Sequence, residues 1–380
     1  MSQVSPQSVY TRSLSCGTLN VTPTGGVAAL DTLFDIAERR NPKRAFLFVS
    51  KVLGRHIPVS PTVMRGVYRQ LAEQLPASIA GPVLFIGMAE TAVGLGAGVF
   101  DEVRQRVSDA VYLTSTRHPQ DGELLCEFKE AHSHATDHLI YLPDDEQLRR
   151  RVLDARTLIL IDDEATTGNT FINLLAALRE TTLFKQLQQV FAVTLTDWSG
   201  SALAQRCPLP IQSISLVQGD WQWVPKPDAP LPVMPTVNVT ARGNVAITGK
   251  QSWGRLGMGE PAGDLGRDLR VSQGEKILVL GSSEFVWEPF LLAEHLHAQG
   301  AEVKFSSTTR SPIANGFAIQ SAITFNDNYG LGIANFVYNV LHQRFDRILL
   351  CVETPSESVD AQLLDALATV APRVEIISYD

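Results

Sequence analysis

Two adjacent carboxylates, Asp162 and Asp163, close the apolar run Leu158-Ile159-Leu160-Ile161, and Glu164 and Ala165 lead from them into Thr166-Thr167-Gly168-Asn169-Thr170. The four apolar residues suit a short strand buried on both faces of a parallel sheet. FINLLAALRE, residues 171–180, has helical spacing, so the polar stretch reads as a strand-to-helix turn. Hydroxyls and successive backbone N–H groups at a helix N-terminus favour phosphate, because that end has unpaired donors and a partial positive charge. Two carboxylates just before it would repel a bare phosphate. They are useful if they hold something attached to the phosphate, such as ribose hydroxyls, with Mg²⁺ offsetting charge. A purely structural reading, with the aspartates only leaving the sheet and Thr170 only capping the helix, covers each feature singly but not their accumulation.

The elements that must position this turn are strand-like runs at 83–90 (VLFIGMAE), 110–117 (AVYLTSTR), 157–164 (TLILIDDE) and 189–198 (QVFAVTLTDW), most of them separated by amphipathic segments. That alternation predicts a parallel sheet covered by helices. Gly94, Gly96 and Gly98 come too late after the first strand for a dinucleotide fingerprint and read as small residues for close helix packing. Residues 114–141 are a polar excursion with Arg117, His118, Lys129, His132, His134 and His138. It is either a solvated loop or a lid whose cations close over a polyphosphate. RAFLFVSKVLGRHIPVSP, residues 44–61, reads as an edge strand and a basic, proline-punctuated turn.

Residues 221–239 contain Pro225, Pro227, Pro230, Pro232 and Pro235, which exclude helix and central strand and mark an extended linker or wrapping arm. Beyond it, 276–307 and 346–380 each read as strand, turn, helix and strand, so the second half is a further Rossmann-like α/β unit. The expected division is 1–220, a linker at 221–239, and 240–380. A chain of 380 residues suits two domains. The formal charge of −8 argues against electrostatic capture of nucleic acid. Cys16, Cys126, Cys207 and Cys351 are too scattered for a zinc site or disulfide framework. With no apolar stretch near the ~20 residues that span a bilayer and no signal-peptide core in MSQVSPQSVYTRS, the expectation is a cytoplasmic protein without membrane partners.

Residues 158–170 resemble the phosphoribosyl-pyrophosphate motif of type I phosphoribosyltransferases, with four apolar residues, two acidic ones, two variable positions and a Thr/Ser/Gly loop. The resemblance implies a phosphoribosyltransferase-like parallel sheet with flanking helices. Asp162 and Asp163 would contact the ribose hydroxyls and Mg²⁺, and Thr166, Thr167, Gly168, Asn169 and Thr170 the 5′-phosphate. GMAET, residues 87–91, occupies the pyrophosphate loop, with Glu90 and Thr91 where many members have Arg or Lys before Gly. Glu164 departs from the family's apolar preference and adds a polar group over the site. By similarity to orotate-type members, Arg117 and His118 would stabilise the departing charge, with His132 and His134 as further candidates. Lys51, Arg55 and His56 would lie in the hood that reads the acceptor.

Thr309-Arg310-Ser311-Pro312 is the tetrapeptide that names the TRSP domain, found after a phosphoribosyltransferase domain in a bacterial family associated with tellurite-resistance-type gene clusters. SKVLGRHIP and NDNYGLGIANFVYN also resemble that family. Arg310 would bind an oxyanion. WGRLGM (253–258) and GSSEF (281–285) are candidates for one second site, in which Glu284 binds ribose or metal or caps the helix that follows. The implied activity is Mg²⁺-dependent transfer of ribose 5-phosphate from phosphoribosyl pyrophosphate to a nitrogenous, nucleobase-like acceptor; related phosphoribosyltransferases are often dimers, which makes a homodimer the partner the resemblance suggests. The competing reading, motivated by Glu90 and Glu164, is a regulator that binds a nucleotide or phosphoribosyl pyrophosphate without turnover.

Overall fold

The computed structural model describes residues 9–41, 44–107, 109–129, 138–241, 243, 245, 247, 252–261 and 263–378. His132 and His134 lie outside them. Among the described residues no helix is long and apolar enough to cross a membrane.

The first half runs β1 (Tyr10–Ser13), β2 (Gly17–Gly26), α1 (Leu30–Leu33), β3 (Phe34–Glu38), β4 (Phe46–Ser50), α2 (Pro61–Gln74), β5 (Val83–Gly87), α3 (Val93–Val103), β6 (Ala110–Thr114), β7 (Leu124–Phe128), β8 (His138–Tyr141), α4 (Glu146–Leu153), β9 (Thr157–Ala165), α5 (Asn169–Leu178), β10 (Gln189–Asp197), α6 (Ala202–Arg206) and β11 (Ile211–Pro225). Seven of these strands form a sheet in the order β1-β2-β11-β10-β9-β5-β6. The five from β11 to β6 are parallel, and β2 is antiparallel to both its neighbours. Leu158 to Ile161 are completely buried, as a central strand covered on both faces requires. From β5 the chain moves outward to β6 and then returns on the other side to β9. The reversal opens a crevice at the C-terminal ends of β5 and β9, the usual ligand position in open α/β sheets.

The glycines of α3 act in packing. A Cβ on Gly96 would meet the Gly87 Cα at 3.0 Å, and one on Gly98 would meet the Tyr68 ring at 2.1 Å. The β3–β4 hairpin packs beside the crevice through Phe48 stacked on Trp198 and Phe46 edge-on to Trp221.

Residues 221–225, expected in the linker, instead complete β11 and pair with β2, Trp221 opposite Val21 and Pro225 opposite Gly17. Pro225 is tolerated because it ends the strand. The second half comprises β12 (Lys276–Gly281), α7 (Trp287–Ala298), β13 (Glu302–Ser307), β14 (Ala322–Asn326), β15 (Ala334–Tyr338), β16 (Arg347–Val352), α8 (Ala361–Ala368) and β17 (Val374–Ser378). Its parallel sheet has the order β13-β12-β16-β17.

The halves share one core. Tyr68 of α2 meets Phe290 of α7 edge-on at 5.4 Å, and Arg65 of α2 pairs with Glu294 of α7 at 2.6 Å and with Asp101 of α3 at 2.8 Å. Val59 exchanges backbone hydrogen bonds with Phe305 of β13. Residues 253–258 return to the first sheet, where Met258 and Tyr112 exchange backbone bonds along β6. WGRLGM thus covers an edge that would otherwise stand unpaired.

Candidate active site

A cleft of about 660 Å³ opens over the C-terminal ends of β5 and β9. Asp162, Asp163, Glu164, Thr166 and Thr170 form its floor, Glu90 and Thr91 one side, and Arg117 a further part of its wall. The hairpin side supplies Arg39, Arg44, Leu47, Phe48 and Ser50. Thr309, Arg310, Ser311 and Ile333 enter from the second half.

A smaller adjoining cavity of about 160 Å³ is lined by Asp162, Glu164 and residues 165–171. Gly168 is the N-cap of α5 at φ 71°, a left-handed conformation that suits glycine, and no side chain caps the helix. Thr170 therefore stands inside the helix and not at its cap. The open end leaves backbone donors facing the cavity. Asn169 faces outward enough that its Oδ1 accepts from Arg206 at 2.6 Å.

The acidic residues are held in distinct ways. Asp162 accepts the Asp163 backbone N–H at 2.9 Å, and Asp163 accepts from the Thr91 hydroxyl at 3.1 Å, tying the loop after β5 to the end of β9. Burial, reinforced by the neighbouring Glu164 charge, raises the Asp163 pKa from its ordinary value. Two adjacent carboxylates over a cleft suit a hard divalent cation that completes its shell with substrate oxygens. Among the described residues no group of three His, Cys, Asp or Glu side chains could hold a metal unaided.

Glu164 is neutralised. Arg44 donates to its Oε1 at 2.6 Å and to the Thr166 hydroxyl at 3.0 Å, so one guanidinium fixes both acid and loop. Glu90 lies between Arg55, at 3.2 Å, and Arg310, at 3.5 Å. Arg55 is buried and also donates to the Ser283 and Thr308 carbonyls at 2.8 and 2.6 Å, binding the two halves together behind Glu90.

Several expected residues occupy other positions. Lys51, the residue after β4, is exposed, does not line the cleft and donates to the Asp31 carbonyl at 2.7 Å, a contact that holds its amine away from an acceptor there. His118 is buried against Tyr329, ring centroids 4.3 Å apart, and is not part of the cleft wall. Burial pushes its pKa down, Glu284 opposing, which disfavours the imidazolium that a leaving group would call for. His56 does line the cleft, but burial and then the Arg55 charge lower its pKa to about 3. Arg117 keeps its place in the wall, its backbone N–H donating to Glu284 at 2.8 Å.

WGRLGM and GSSEF do meet, but as a packed ion cluster. Arg255 donates through both Nη groups to Glu353 at 2.8 Å and through Nε to Glu284 at 3.1 Å. Glu284 also accepts from the Thr116 hydroxyl at 2.6 Å. It caps no helix, since α7 starts at Trp287 without a side-chain cap.

Arg39 and Arg44 were not singled out in the sequence. Burial, followed by the Arg44 charge, lowers the Arg39 pKa to about 10. The available signal was the basic run RRNPKR, residues 39–44, between two strand-like segments.

Against known families, residues 33–220 match the family described as phosphoribosyl transferase, PRTase_2, and residues 256–367 match the TRSP domain C-terminal to PRTase_2. No curated protein matches the chain. Among solved structures, adenine phosphoribosyl transferase from Trypanosoma brucei, in complex with AMP, pyrophosphate and ribose-5-phosphate, is 12% identical with a TM-score of 0.36, over 50% of this chain and 77% of that one. The Giardia lamblia enzyme complexed with 9-deazaadenine is 15% identical with a TM-score of 0.33, over 51% and 98%. Orotate phosphoribosyltransferase from Aeropyrum pernix is 14% identical with a TM-score of 0.29, over 50% and 89%.

Proposed function

The chain belongs to the phosphoribosyl transferase family with a following TRSP domain, and from that premise we propose that it transfers ribose 5-phosphate from phosphoribosyl pyrophosphate to a nucleobase-like nitrogen, releasing pyrophosphate. The observation that carries this reading is the convergence of Asp162, Asp163, the 166–170 loop and the Glu90–Thr91 loop on one cleft at the switch point of the sheet.

In this reading the 5′-phosphate enters the cavity at the start of α5 and accepts backbone N–H groups, while Asp162 and Asp163 accept the ribose hydroxyls. Mg²⁺, if held by the aspartates and donor oxygens, lowers the charge of the bound pyrophosphate. As the bond from C1 to the pyrophosphate oxygen breaks, that oxygen leaves with the electron pair, the acceptor nitrogen forms the new bond at C1, and the proton of that nitrogen passes to water or to the released pyrophosphate. Negative charge grows on the leaving group, so cations fixed beforehand at its position lower the barrier most. Arg117 is the candidate from the first domain. Leu47, Phe48 and Arg39 form the wall suited to a planar acceptor.

The regulator reading loses much of its motive, because Glu90 and Glu164 are paired with arginines and do not face a polyanion as bare charges. Four free cysteines suit a reducing cytoplasm.

Calorimetric titration of phosphoribosyl pyrophosphate with and without Mg²⁺ tests the proposal. Binding that needs Mg²⁺ and is lost in Asp162→Asn/Asp163→Asn supports it. No binding to the folded native chain overturns it. Arg117→Ala separates the two activities: a transferase loses turnover far more than donor affinity, whereas a regulator has no pyrophosphate release to lose.

A further inference from the structure

The second sheet has its own switch point, between the C-terminal ends of β12 and β16, with β13 on one side and β17 on the other. A ligand would be expected there, yet the chain's own side chains fill it. Arg255, Glu284 and Glu353 have side chains 3%, 1% and 0% exposed, and Tyr329 donates to Glu353 at 2.8 Å. The space left nearby, lined by Ser282, Thr308 and Asn328, is only about 10 Å³. The loop after β13 points elsewhere: Thr309, Arg310 and Ser311 line the large cleft over the first sheet.

The loop after β5 that they reach carries no cation of its own, and Arg117 stands on a different loop of the cleft wall. Ala89, Glu90 and Thr91 follow β5 with one negative charge and no positive one. Arg55 neutralises Glu90, but its guanidinium is already committed to the Glu90 side chain and carbonyl and to the Ser283 and Thr308 carbonyls. Arg310 differs. Its one polar contact among the described residues is the Nε approach to Glu90 at 3.5 Å, which is longer than a hydrogen bond. Its two Nη groups are left to the cleft, and a planar fork of that kind matches phosphate oxygens.

We infer that the C-terminal domain is part of the transferase site and not a separate catalyst, and that Arg310 supplies the cation that binds the pyrophosphoryl oxygens of the donor beside the Ala89–Thr91 loop. The inference rests on the transferase reading of the cleft. Glu90 holds Arg310 at the rim when no anion is present, and a bound pyrophosphoryl group takes the place of that long contact. Arg55 remains on Glu90, so the carboxylate stays compensated when Arg310 moves.

The test is calorimetric titration of inorganic pyrophosphate and, separately, ribose 5-phosphate into the full chain with Mg²⁺ present, using the native protein, Arg310→Ala and Arg310→Lys. Arg310→Ala is expected to weaken pyrophosphate at least tenfold and leave ribose 5-phosphate within twofold; Arg310→Lys should fall between. Pyrophosphate affinity unchanged in Arg310→Ala, or absent in a native protein that binds ribose 5-phosphate, overturns the inference and leaves the donor site standing. A native protein that binds neither ligand overturns the transferase reading as well. If Arg310→Ala loses both ligands through misfolding, Arg310→Lys decides: pyrophosphate must weaken more than ribose 5-phosphate, and equal losses overturn the role of Arg310.

Discussion

Arg44 of the hairpin side and Glu164 of β9 pair at 2.6 Å across the mouth of the phosphate loop, and the same arginine holds Thr166. Removing the cation alone leaves a carboxylate next to the place where a phosphate would sit. Arg44→Met should therefore weaken ribose 5-phosphate by about tenfold, or about 1.4 kcal/mol. Arg44→Met/Glu164→Gln should regain part of that loss, because the uncompensated charge is gone. Calorimetry on the two variants checks this; native-like affinity in the single variant would show that Glu164 is screened by other means.

Asp163 pays a stability penalty for its position. Its pKa is raised in the folded chain by burial and by Glu164, so at neutral pH its ionised form is less favourable folded than unfolded. That penalty is absent well below the ordinary carboxylate pKa, grows as pH rises above it and is complete once pH exceeds the folded value. Asp163→Asn removes the charge and can retain the Thr91 contact through its carbonyl. The variant should unfold at the same or a higher temperature at pH 7 while losing donor affinity at least tenfold. A large fall in melting temperature would instead make Asp163 a structural residue.

These relationships show where sequence reasoning succeeds and where it stops. Strands such as Val83–Gly87 and Thr157–Ala165 were legible because burial on both faces demands continuous apolar runs. The 166–170 turn was legible because its hydroxyls and glycine follow the strand directly. Arg44 was not, since its partner is 120 residues away and only the folded hairpin brings them together. His118 misled for the same reason: its neighbour Arg117 lines the cleft, whereas His118 is turned into Tyr329, a residue from the other half of the chain. Residues 221–225 were hidden by proline content, because a terminal Pro225 breaks no ladder that the strand needs.

His56 gives the fold a defined acid sensitivity. Its pKa is about 3 in the folded protein, through burial and the Arg55 charge, against 6.5 ordinarily. Between these values the unfolded chain takes up a proton that the folded chain refuses. The effect is nil well above pH 6.5 and grows as pH falls, by about 1.4 kcal/mol per pH unit. His118, also lowered by burial, acts in the same direction. Urea unfolding should thus show about 2 kcal/mol less stability at pH 5 than at pH 7.5, with His56→Leu visibly flattening the dependence. An equal slope in the variant would assign the acid sensitivity to other groups.

The Arg255 cluster should behave as a keystone between the halves. Glu353 and Glu284 are buried carboxylates that both depend on this one guanidinium, and Glu284 in turn holds the Thr116 hydroxyl and the Arg117 backbone N–H. Burial opposes the Glu284 charge but is outweighed by His118, Arg255 and these donors, which bring its pKa to about 2. Arg255 is the permanent cation among them. Arg255→Met strands two buried charges and should cost about 3–5 kcal/mol, the usual range when one partner of a buried pair is removed. Arg255→Met/Glu353→Leu/Glu284→Gln removes the stranded charges too and should recover much of the stability, measured by urea unfolding. It should not recover full turnover, because a neutral amide in place of the Glu284 carboxylate holds the Arg117 backbone less firmly. Full stability in Arg255→Met alone would mean that water reaches the cluster and that the two sheets are joined chiefly by their shared apolar core.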